Sequence, residues 1–459
     1  MLYPASHSQT ARCLRRAVLS LLVLGFLPAG PTAAQEVTYA GDVAPIVWEH
    51  CVSCHREGGV APMPLLTYED VKKYAPLIKP KVVSREMPPW FMDRTMGIQE
   101  FKNDLSLSDE EIATIVRWVD AGAPSGDLAA MPSPPKLRQW AEAWRLEDEF
   151  GRPPDLVLPS IPHSVPPTGQ DQWPNQWTRV EGLTEPRWAR AVEVKPADSQ
   201  SRYVFHHMNV RSRTPEGRSL LLSHSNVGKW YDIYPEDTGR LIHPGEELLW
   251  DMHFFPLGDR EVVAQALLGV WLYPSGYEPE LGSGVEEIFY IDTDLPRLTG
   301  TLRGQEIMIP PDGYMTLQGL HVLDRPLRIH SAQIHMHQRG KTMTLEALYP
   351  DGRRELLNRL LHDHRWLTTY VYEDHARPLL PKGTVLIVTA QWDNTVDNPN
   401  NPDPNQWVFF GRRTADEMAH MWIGTTWLED DEYERLVLKR DEMLQERERE
   451  LVQRTGDGG

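Results

Sequence analysis

The sequence predicts a multidomain protein: a small all-α domain followed by two tandem antiparallel β-sandwich domains. The chain has 459 residues, which is too long for one compact core and enough for two or three domains. Residues 35–127 contain apolar residues at helical spacing, whereas residues 161–430 contain short alternating segments broken by Gly, Pro, Asn and Asp. The 16 tryptophans and 39 prolines also favour a rigid, β-rich body over a helical bundle.

The first residues, 1–34, have the pattern of a cleaved signal peptide. A basic segment precedes a short apolar stretch at 17–27, and small residues follow before Gln35. The alternative is a retained membrane anchor, but the stretch is shorter than the roughly 20 residues that span a bilayer. No later segment is long and apolar enough to do so. The sequence therefore predicts a periplasmic or secreted protein with no transmembrane segment after cleavage.

Composition changes along the chain suggest where the domains begin and end. We expect a helical domain at 35–127, a Pro-rich linker at 128–160 and two β-sandwiches at 161–295 and 296–430. A charged helical tail without a clear apolar face follows at 431–459. The net charge is −18, and removal of a signal with three arginines and no acids leaves −21. This charge argues against nucleic acid or anionic lipid as a partner. It suits a basic electron-transfer partner, although solubility is the simpler explanation.

Only two cysteines remain once the signal is removed, so the exported chain has no disulfide framework. They lie in the motif Cys51-Val52-Ser53-Cys54-His55. In such a motif both thiols bond the porphyrin of a c-type haem, and the histidine ligates the iron. A zinc site would need two further ligands nearby, and a thioredoxin-like site would need a βαβ context. The motif therefore predicts covalent haem at Cys51 and Cys54, with His55 as an axial ligand.

Met87 is the predicted sixth ligand of the haem iron, because the prolines that follow it stiffen its segment. Met63 and Met92 are the alternatives. A capping box at 108–111 predicts a helix that ends near Gly122. The whole segment resembles the cytochrome c-like domains with a Met-Pro-Pro-Trp loop that are fused to larger bacterial oxidoreductases.

Three clusters of histidine and methionine lie in the β-rich part: Phe205-His206-His207-Met208, Trp250-Asp251-Met252-His253 and Ile334-His335-Met336-His337. In a strand, His335 and His337 point to the same face. A single histidine is usually a structural residue. A His-His pair together with a His-x-His pair indicates metal, and imidazole with thioether ligands suits copper.

Four segments resemble the type II ascorbate-dependent copper monooxygenases, the family of peptidylglycine α-hydroxylating monooxygenase and dopamine β-monooxygenase. The segment 414–418 is similar to the family's methionine-ligand segment, and 204–208 to its His-His-Met segment. The strand with His335 and His337 is similar to its His-x-His strand, and 391–402 to its Asp-Asn turn. The resemblance covers about residues 190–430.

The resemblance implies two copper ions on two sandwiches that face a cleft. An electron-transfer copper would be bound by His206, His207 and His253. A second copper, which binds dioxygen and abstracts hydrogen from a substrate C–H bond, would be bound by His335, His337 and Met418. His224 and His243 remain alternatives to His253. We expect His362 and His364, a further His-x-His pair, to be surface residues or to support other ligands.

The sequence departs from the family at three positions that bind the substrate in the peptidylglycine enzymes. Gln333, His420 and Trp422 stand where the peptidylglycine enzymes hold a substrate carboxylate with Arg, Asn and Tyr. These differences argue against a peptidylglycine substrate. The family's disulfides are also absent, since no cysteines remain for them.

These features predict an exported copper-dependent monooxygenase that hydroxylates a C–H bond of a small organic substrate with dioxygen. Electrons would pass from the haem to the copper sites, and ascorbate or a redox protein would serve as external donor. One alternative is a non-catalytic periplasmic electron-transfer protein with a c-type haem and copper-binding β domains. Another is a haem segment fused to an unrelated β-rich binding domain, which would hold no stoichiometric copper.

Overall fold

The computed structural model describes residues 36–135, 143–281, 286–287 and 307–456, apart from the single positions 216, 218, 227 and 412. The predicted signal peptide and the predicted boundary at 295/296 lie outside these ranges. In the described part the α-helices are α1 Ala44–His50, α2 Tyr68–Val83, α3 Asp109–Asp120, α4 Leu146–Phe150, α5 Ser199–Val204 and α6 Asp430–Gly456. A π-helical turn, Tyr39–Val43, precedes α1, and a 3-10 turn spans Asp374–Ala376.

The first β unit consists of two antiparallel sheets and a ribbon. One sheet has the order β4 (Asn175–Arg179), β10 (Glu247–Phe254), β6 (Phe205–Arg213), β7 (Ser219–Ser225). The other has the order β2 (Leu156–Pro159), β12 (Ala266–Leu272), β5 (Arg187–Pro196), β8 (Tyr231–Ile233), and β9 (Arg240–Ile242) also pairs with β5. The ribbon joins β3 (His163–Val165) to β11 (Val262–Ala264). Val192, Val210, Trp250 and Val270, from both sheets, share one core, so the unit is a sandwich.

The second β unit is built in the same way. One sheet has the order β1 (Met92–Gly97), β18 (Arg354–Leu361), β17 (Gly340–Leu348), β21 (Val385–Asp393), β15 (Tyr314–Val322). The other has the order β13 (Glu286–Glu287), β23 (Ala419–Trp427), β16 (Leu327–Met336), β19 (Tyr370–Val371), and β20 (Leu379–Leu380) also pairs with β16. A ribbon joins β14 (Met308–Ile309) to β22 (Val408–Phe409). The two units are compatible with the predicted sandwiches.

The predicted small all-α domain at the N-terminus is wrong. The segment between α2 and α3 contains β1, which pairs antiparallel with β18 of the second sandwich. Trp90, Met92 and Phe101 are buried in that sandwich's core, and the Trp90 ring lies 4.7 Å from the ring of Tyr370. Strand makes up 36% of the structure and helix 20%. The segment between α2 and α3 buries Trp90, Met92 and Phe101 in the core of the second sandwich, so the helices do not form a separate all-α domain.

The helices themselves follow local signals. The predicted capping box is confirmed: Ser108 Oγ accepts from the backbone N–H of Glu111, whose carboxylate accepts from Ser108 N–H. Thr67 and Asp70 cap α2 in the same way. Residues of the π turn, α1 and α3 then meet around Trp118, which is fully buried. This cluster supports the Cys-x-x-Cys-His turn that follows α1.

The predicted linker and the helix α6 both pack on the sandwiches. Within the predicted linker, β2 pairs with β12, and Trp144 and Leu146 pack against Trp271. In the second turn of α6, Leu436 is buried beside Leu379 of β20, and the later turns of the helix are largely exposed. Within the described ranges, no helix combines the length and hydropathy that crossing a bilayer requires.

Candidate metal centres and the cavity beside them

The first histidine cluster forms where β6 and β10 pair. His206 and His207 follow Phe205 at the start of β6, and the antiparallel register sets His207 opposite His253. The ring centroids are 5.3 Å apart for His206 and His207, 4.9 Å for His206 and His253, and 5.0 Å for His207 and His253. One ring nitrogen from each side chain lies within 4.8 Å of the other two. The three imidazoles therefore converge as the ligands of a single metal ion do.

The surroundings of this cluster favour neutral imidazoles. Burial, and after it the charge of neighbouring histidines, lowers the pKa of His206 and of His253 to about 4. Burial also lowers the pKa of His207 well below its ordinary value. Neutral imidazole is the form that binds metal. Trp173 stacks on His253 at 4.6 Å.

His224 and His243, the alternatives to His253, have other partners. The Nδ1 atom of His224 is hydrogen-bonded to the amide of Gln333 at 2.8 Å. Its ring centroid lies 6.1 Å from that of His207. His243 follows β9 and donates its backbone N–H to Glu246. The convergent group in the described part includes His253 and neither alternative.

The second cluster forms where β16 pairs with β23. The register sets His335 opposite His420 and Met336 opposite Ala419. Met418, which directly precedes Ala419, is 7% exposed. The rings of His335 and His337 are 5.1 Å apart. Asp416 and Glu417 both hydrogen-bond to His337, so the segment that carries Met418 lies beside the His-x-His pair, although it is about eighty residues further along the chain.

Hydrogen bonds orient His337. Its Nδ1 lies 3.0 Å from the carbonyl oxygen of Asp416, which leaves Nε2 for a metal. The buried carboxylate of Glu417 accepts the backbone N–H groups of His337 at 3.1 Å and Arg339 at 2.7 Å, and the Trp392 indole N–H at 3.1 Å. Burial raises the pKa of Glu417 to about 7.

Glu417 was not among the predicted site residues. The only signal was an acid directly before the expected methionine ligand. His362 supports the same turn, since its Nε2 lies 3.0 Å from the carbonyl oxygen of His337. His364 differs from His362 in this respect: its Nδ1 atom is buried without a hydrogen-bond partner among the described residues.

Ring contacts link the two clusters across the contact between the sandwiches. The ring centroid of His224 lies 6.1 Å from that of His207 and 4.6 Å from that of Trp422, and the Trp422 centroid lies 5.9 Å from that of His335. Gln333 lies in this contact: its amide meets His224, and its oxygen accepts from the Thr369 hydroxyl at 2.6 Å. Gln333, which stands where the peptidylglycine enzymes have Arg, is therefore hydrogen-bonded within the contact between the sandwiches.

The Cys-x-x-Cys-His segment forms a turn after α1. The backbone N–H groups of Cys54 and His55 both donate to the carbonyl of Cys51. His55 Nδ1 lies 3.1 Å from the carbonyl oxygen of Met63, which leaves Nε2 available to iron. Both cysteines are free, and burial raises the pKa of Cys51 to about 12.

Of the three methionines considered as sixth ligand, Met92 is occupied elsewhere. It lies on β1, and its sulfur accepts from the Asn358 amide at 3.6 Å within the second sandwich. Met87 is 39% exposed. Met63 packs at the edge of the core formed around Trp118. Met87 and Met63 therefore remain as candidates.

A cavity of ≈ 780 Å³ lies between the helical segment, the two sandwiches and α6. Cys54 lines it, and so do Gln333 and Trp422 from the contact between the sandwiches. The indole N–H of Trp366 and the Nε–H of Arg377, both in the lining, are buried without an acceptor among the described residues. Neither Cys51 nor His55, which a haem attached at this motif would contact, lines the cavity, so we do not assign the cavity to the haem.

Comparison with known proteins does not identify the chain. No protein-family model matches it, and no curated protein matches it. N-glycanase F (PNGase F) is similar at 10% identity over 60% of this chain and 96% of that chain, with a TM-score of 0.29. The PBSX exported protein XepA is similar at 6% identity over 52% and 86% of the two chains, with a TM-score of 0.16.

The CBM22 tandem of Paenibacillus barcinonensis Xyn10C is similar at 11% identity over 60% of this chain and 98% of that chain, with a TM-score of 0.16. Such TM-scores are too low to carry an argument about fold or function. None of these descriptions names a copper monooxygenase, so the resemblance to that family remains a prediction.

Proposed function

We propose that this protein is an exported copper-dependent monooxygenase that hydroxylates a C–H bond of a small organic substrate with dioxygen. A haem attached at Cys51 and Cys54 supplies the electrons. The observation that carries the proposal is the convergence of His206, His207 and His253 into one three-nitrogen group. These are the residues that the sequence resemblance assigns to an electron-transfer copper.

Each cluster has donors that suit copper. Three neutral imidazoles in the first cluster accommodate both oxidation states, while the thioether of Met418 in the second favours the reduced ion. Copper bound there would supply one-electron redox chemistry and the binding of dioxygen. The chain orients His337 through Asp416 and Glu417, and it keeps the first cluster partly screened from water by Trp173.

The substrate site lies beside His335 and His337, and its lining supports an uncharged or weakly charged substrate. Gln333 is uncharged and is hydrogen-bonded to His224 and Thr369, so it provides no cation that could bind a substrate carboxylate. His420 and Trp422 stack face to face at 5.5 Å, with 6° between their planes. They present aromatic surface instead of the amide and hydroxyl that would hold an anion.

Metal analysis of the purified exported chain tests the metal content. We expect two copper ions and one haem per chain. His253→Ala should lose one copper ion, whereas the control His243→Ala should retain both, because His243 lies outside both clusters. A chain that binds haem but no stoichiometric copper would contradict the proposal.

Oxygen-dependent reoxidation of the haem separates a monooxygenase from an electron-transfer protein. Reduced, copper-loaded protein is mixed with dioxygen, and the haem band is followed. We expect copper-dependent reoxidation that Met418→Ala abolishes while leaving the haem spectrum intact. Reoxidation that is the same with and without copper, or unchanged in Met418→Ala, would instead support the non-catalytic alternative.

A further inference from the structure

Residues 171–173, a segment just before β4, lie against the end of β10 that carries His253. The backbone N–H of Gln172 donates to the carbonyl of Phe254 at 3.1 Å, and the N–H of Phe254 donates to the carbonyl of Gln172 at 2.9 Å. The side-chain oxygen of Gln172 also lies 2.7 Å from Nε2 of His163, whose ring stacks on that of Phe254. These contacts hold the segment in place beside His253.

Two side chains of this segment contact the imidazole of His253. The carboxylate of Asp171 is hydrogen-bonded to Nε2 at 3.3 Å. The ring of Trp173 stacks on the imidazole, with the centroids 4.6 Å apart and 25° between the planes. One edge and one face of the imidazole are thus held by residues that do not belong to the convergent group of three histidines. Contacts of this kind fix the direction of a metal-binding imidazole.

The two ring nitrogens of His253 have different surroundings. An ionised carboxylate can only accept a hydrogen bond, so the nitrogen that faces Asp171, Nε2, is the one that carries the proton. The lone pair then lies on Nδ1, which is buried and has no hydrogen-bond partner among the described residues. A buried polar atom of this kind in a folded protein requires an explanation, and a role as a metal ligand provides one.

We propose that Asp171 is a positioning residue for the first histidine cluster: it holds His253 as the Nε2–H tautomer, so that Nδ1 is the nitrogen that binds copper. This inference rests on the proposed function. Asp171 does not belong to the convergent group, which supports a partner of the ligand over a fourth ligand. A carboxylate on the far nitrogen makes a ligating imidazole more basic and strengthens its bond to the metal.

The charge of Asp171 has a second consequence. A nearby negative charge stabilises Cu(II) more than Cu(I), because the oxidised ion carries the larger positive charge. Asp171 should therefore lower the reduction potential of copper at the first cluster. An uncharged side chain in its place should raise that potential.

Asp171→Asn tests the proposal, because the amide keeps the shape of the side chain and removes its charge. The side chain of Asp171 is 30% exposed, so we expect the fold to remain intact, which thermal denaturation checks. We expect the affinity of the first cluster for Cu(II) to fall by roughly 10–100-fold. The affinity for Cu(I) should fall less, so the reduction potential should rise. Competition with chelators specific for each oxidation state measures both affinities under anaerobic conditions.

Asp251→Asn is the matched control. Asp251 lies two residues before His253 on β10, and its carboxylate accepts from Asn209 at 3.4 Å. Both variants are made in a chain that also carries His335→Ala, so that copper binding reports on the first cluster. We expect Asp251→Asn to leave both copper affinities unchanged.

The tautomer of His253 provides a readout that a merely structural role of Asp171 would not predict. Nuclear magnetic resonance of the imidazole nitrogens in the Cu(I)-loaded chain should show His253 protonated at Nε2 and bound through Nδ1. The signal is assigned by its loss in His253→Gln. Binding through Nε2, or equal Cu(II) affinities in Asp171→Asn and Asp251→Asn, would overturn the role of Asp171 and leave the proposed function standing. A wild-type chain without copper at this cluster would overturn both, and metal analysis distinguishes the two outcomes.

Discussion

His337 is held by groups on both sides of its backbone and by one on its ring. Asp416 accepts from the imidazole, Glu417 accepts from the backbone N–H, and His362 contacts the carbonyl oxygen. Partners of this kind set the tautomer and direction of a metal-binding imidazole. At the scale of single residues, the second cluster therefore depends on side chains that would not touch the metal.

Glu417→Gln tests this dependence. The carboxylate accepts three N–H groups, and an amide would turn a donor towards at least one of them. We expect the copper affinity of the second cluster to fall by roughly 10–100-fold. Stability should fall by about 1–3 kcal/mol.

Competition with a copper chelator measures the affinity, and thermal denaturation measures the stability. Glu346→Gln, on β17 of the same sandwich, is the control and should leave copper affinity unchanged. Equal affinities for the two variants would exclude a positioning role for Glu417.

At the scale of elements, two strand pairings build most of the site. The pairing of β6 with β10 sets His207 opposite His253, and that of β16 with β23 sets His335 opposite His420. A slip of one residue in either pairing would turn the histidines to the other face of the sheet. The strand register therefore determines which histidines meet in the metal site, and the buried faces of the same strands maintain that register.

The strand β1 connects the helical segment to the second sandwich, and Trp90→Ala tests that connection. The indole packs against Phe101 and Tyr370, so its removal leaves a cavity in a shared core. We expect a loss of about 3–5 kcal/mol in unfolding free energy.

Chemical denaturation measures this loss. The exposed Trp407 provides the control, because Trp407→Ala should change stability by no more than about 0.5 kcal/mol. If both variants unfold at the same denaturant concentration, β1 does not pack in the core of the second sandwich.

At the scale of the whole molecule, a buried ion pair joins the two sandwiches. Arg328 of β16 makes two hydrogen bonds to Asp237, at 2.7 Å and 2.6 Å. Burial raises the pKa of Asp237, but the hydrogen bonds and charge of Arg328 outweigh it, and the net pKa is lowered. A carboxyl with a lowered pKa stabilises the folded chain above its ordinary pKa, near 4. This stabilisation is lost as the pH falls through the lowered value.

Asp237→Asn should therefore destabilise the protein by about 3–5 kcal/mol at neutral pH, because it leaves a buried guanidinium without its counter-charge. The difference from the wild type should shrink as the pH falls below about 4. Thermal unfolding across this pH range measures both effects. Asp259→Asn, which breaks the exposed pair with Arg260, is the control. A difference that does not depend on pH would contradict an ionised Asp237.

Local signals predicted the features that short stretches of chain determine. The capping box at Ser108 formed as expected, because its hydrogen bonds join residues three apart. Alternating apolar residues predicted the β-rich part, since each strand carries its own period of two. The motif at Cys51 to His55 and the His-x-His pair are likewise visible in the sequence alone.

Long-range packing decided the rest. Which histidine completes the first cluster depends on the register of two strands some forty residues apart, and His224 could not be distinguished from His253 without it. The all-α domain was wrong because nothing local shows that Trp90 and Phe101 find their cover in a distant sandwich. The sequence alone determined the ligand types and the local elements. The tertiary structure decided which of them meet, because burial and strand pairing bring together residues that are far apart in the chain.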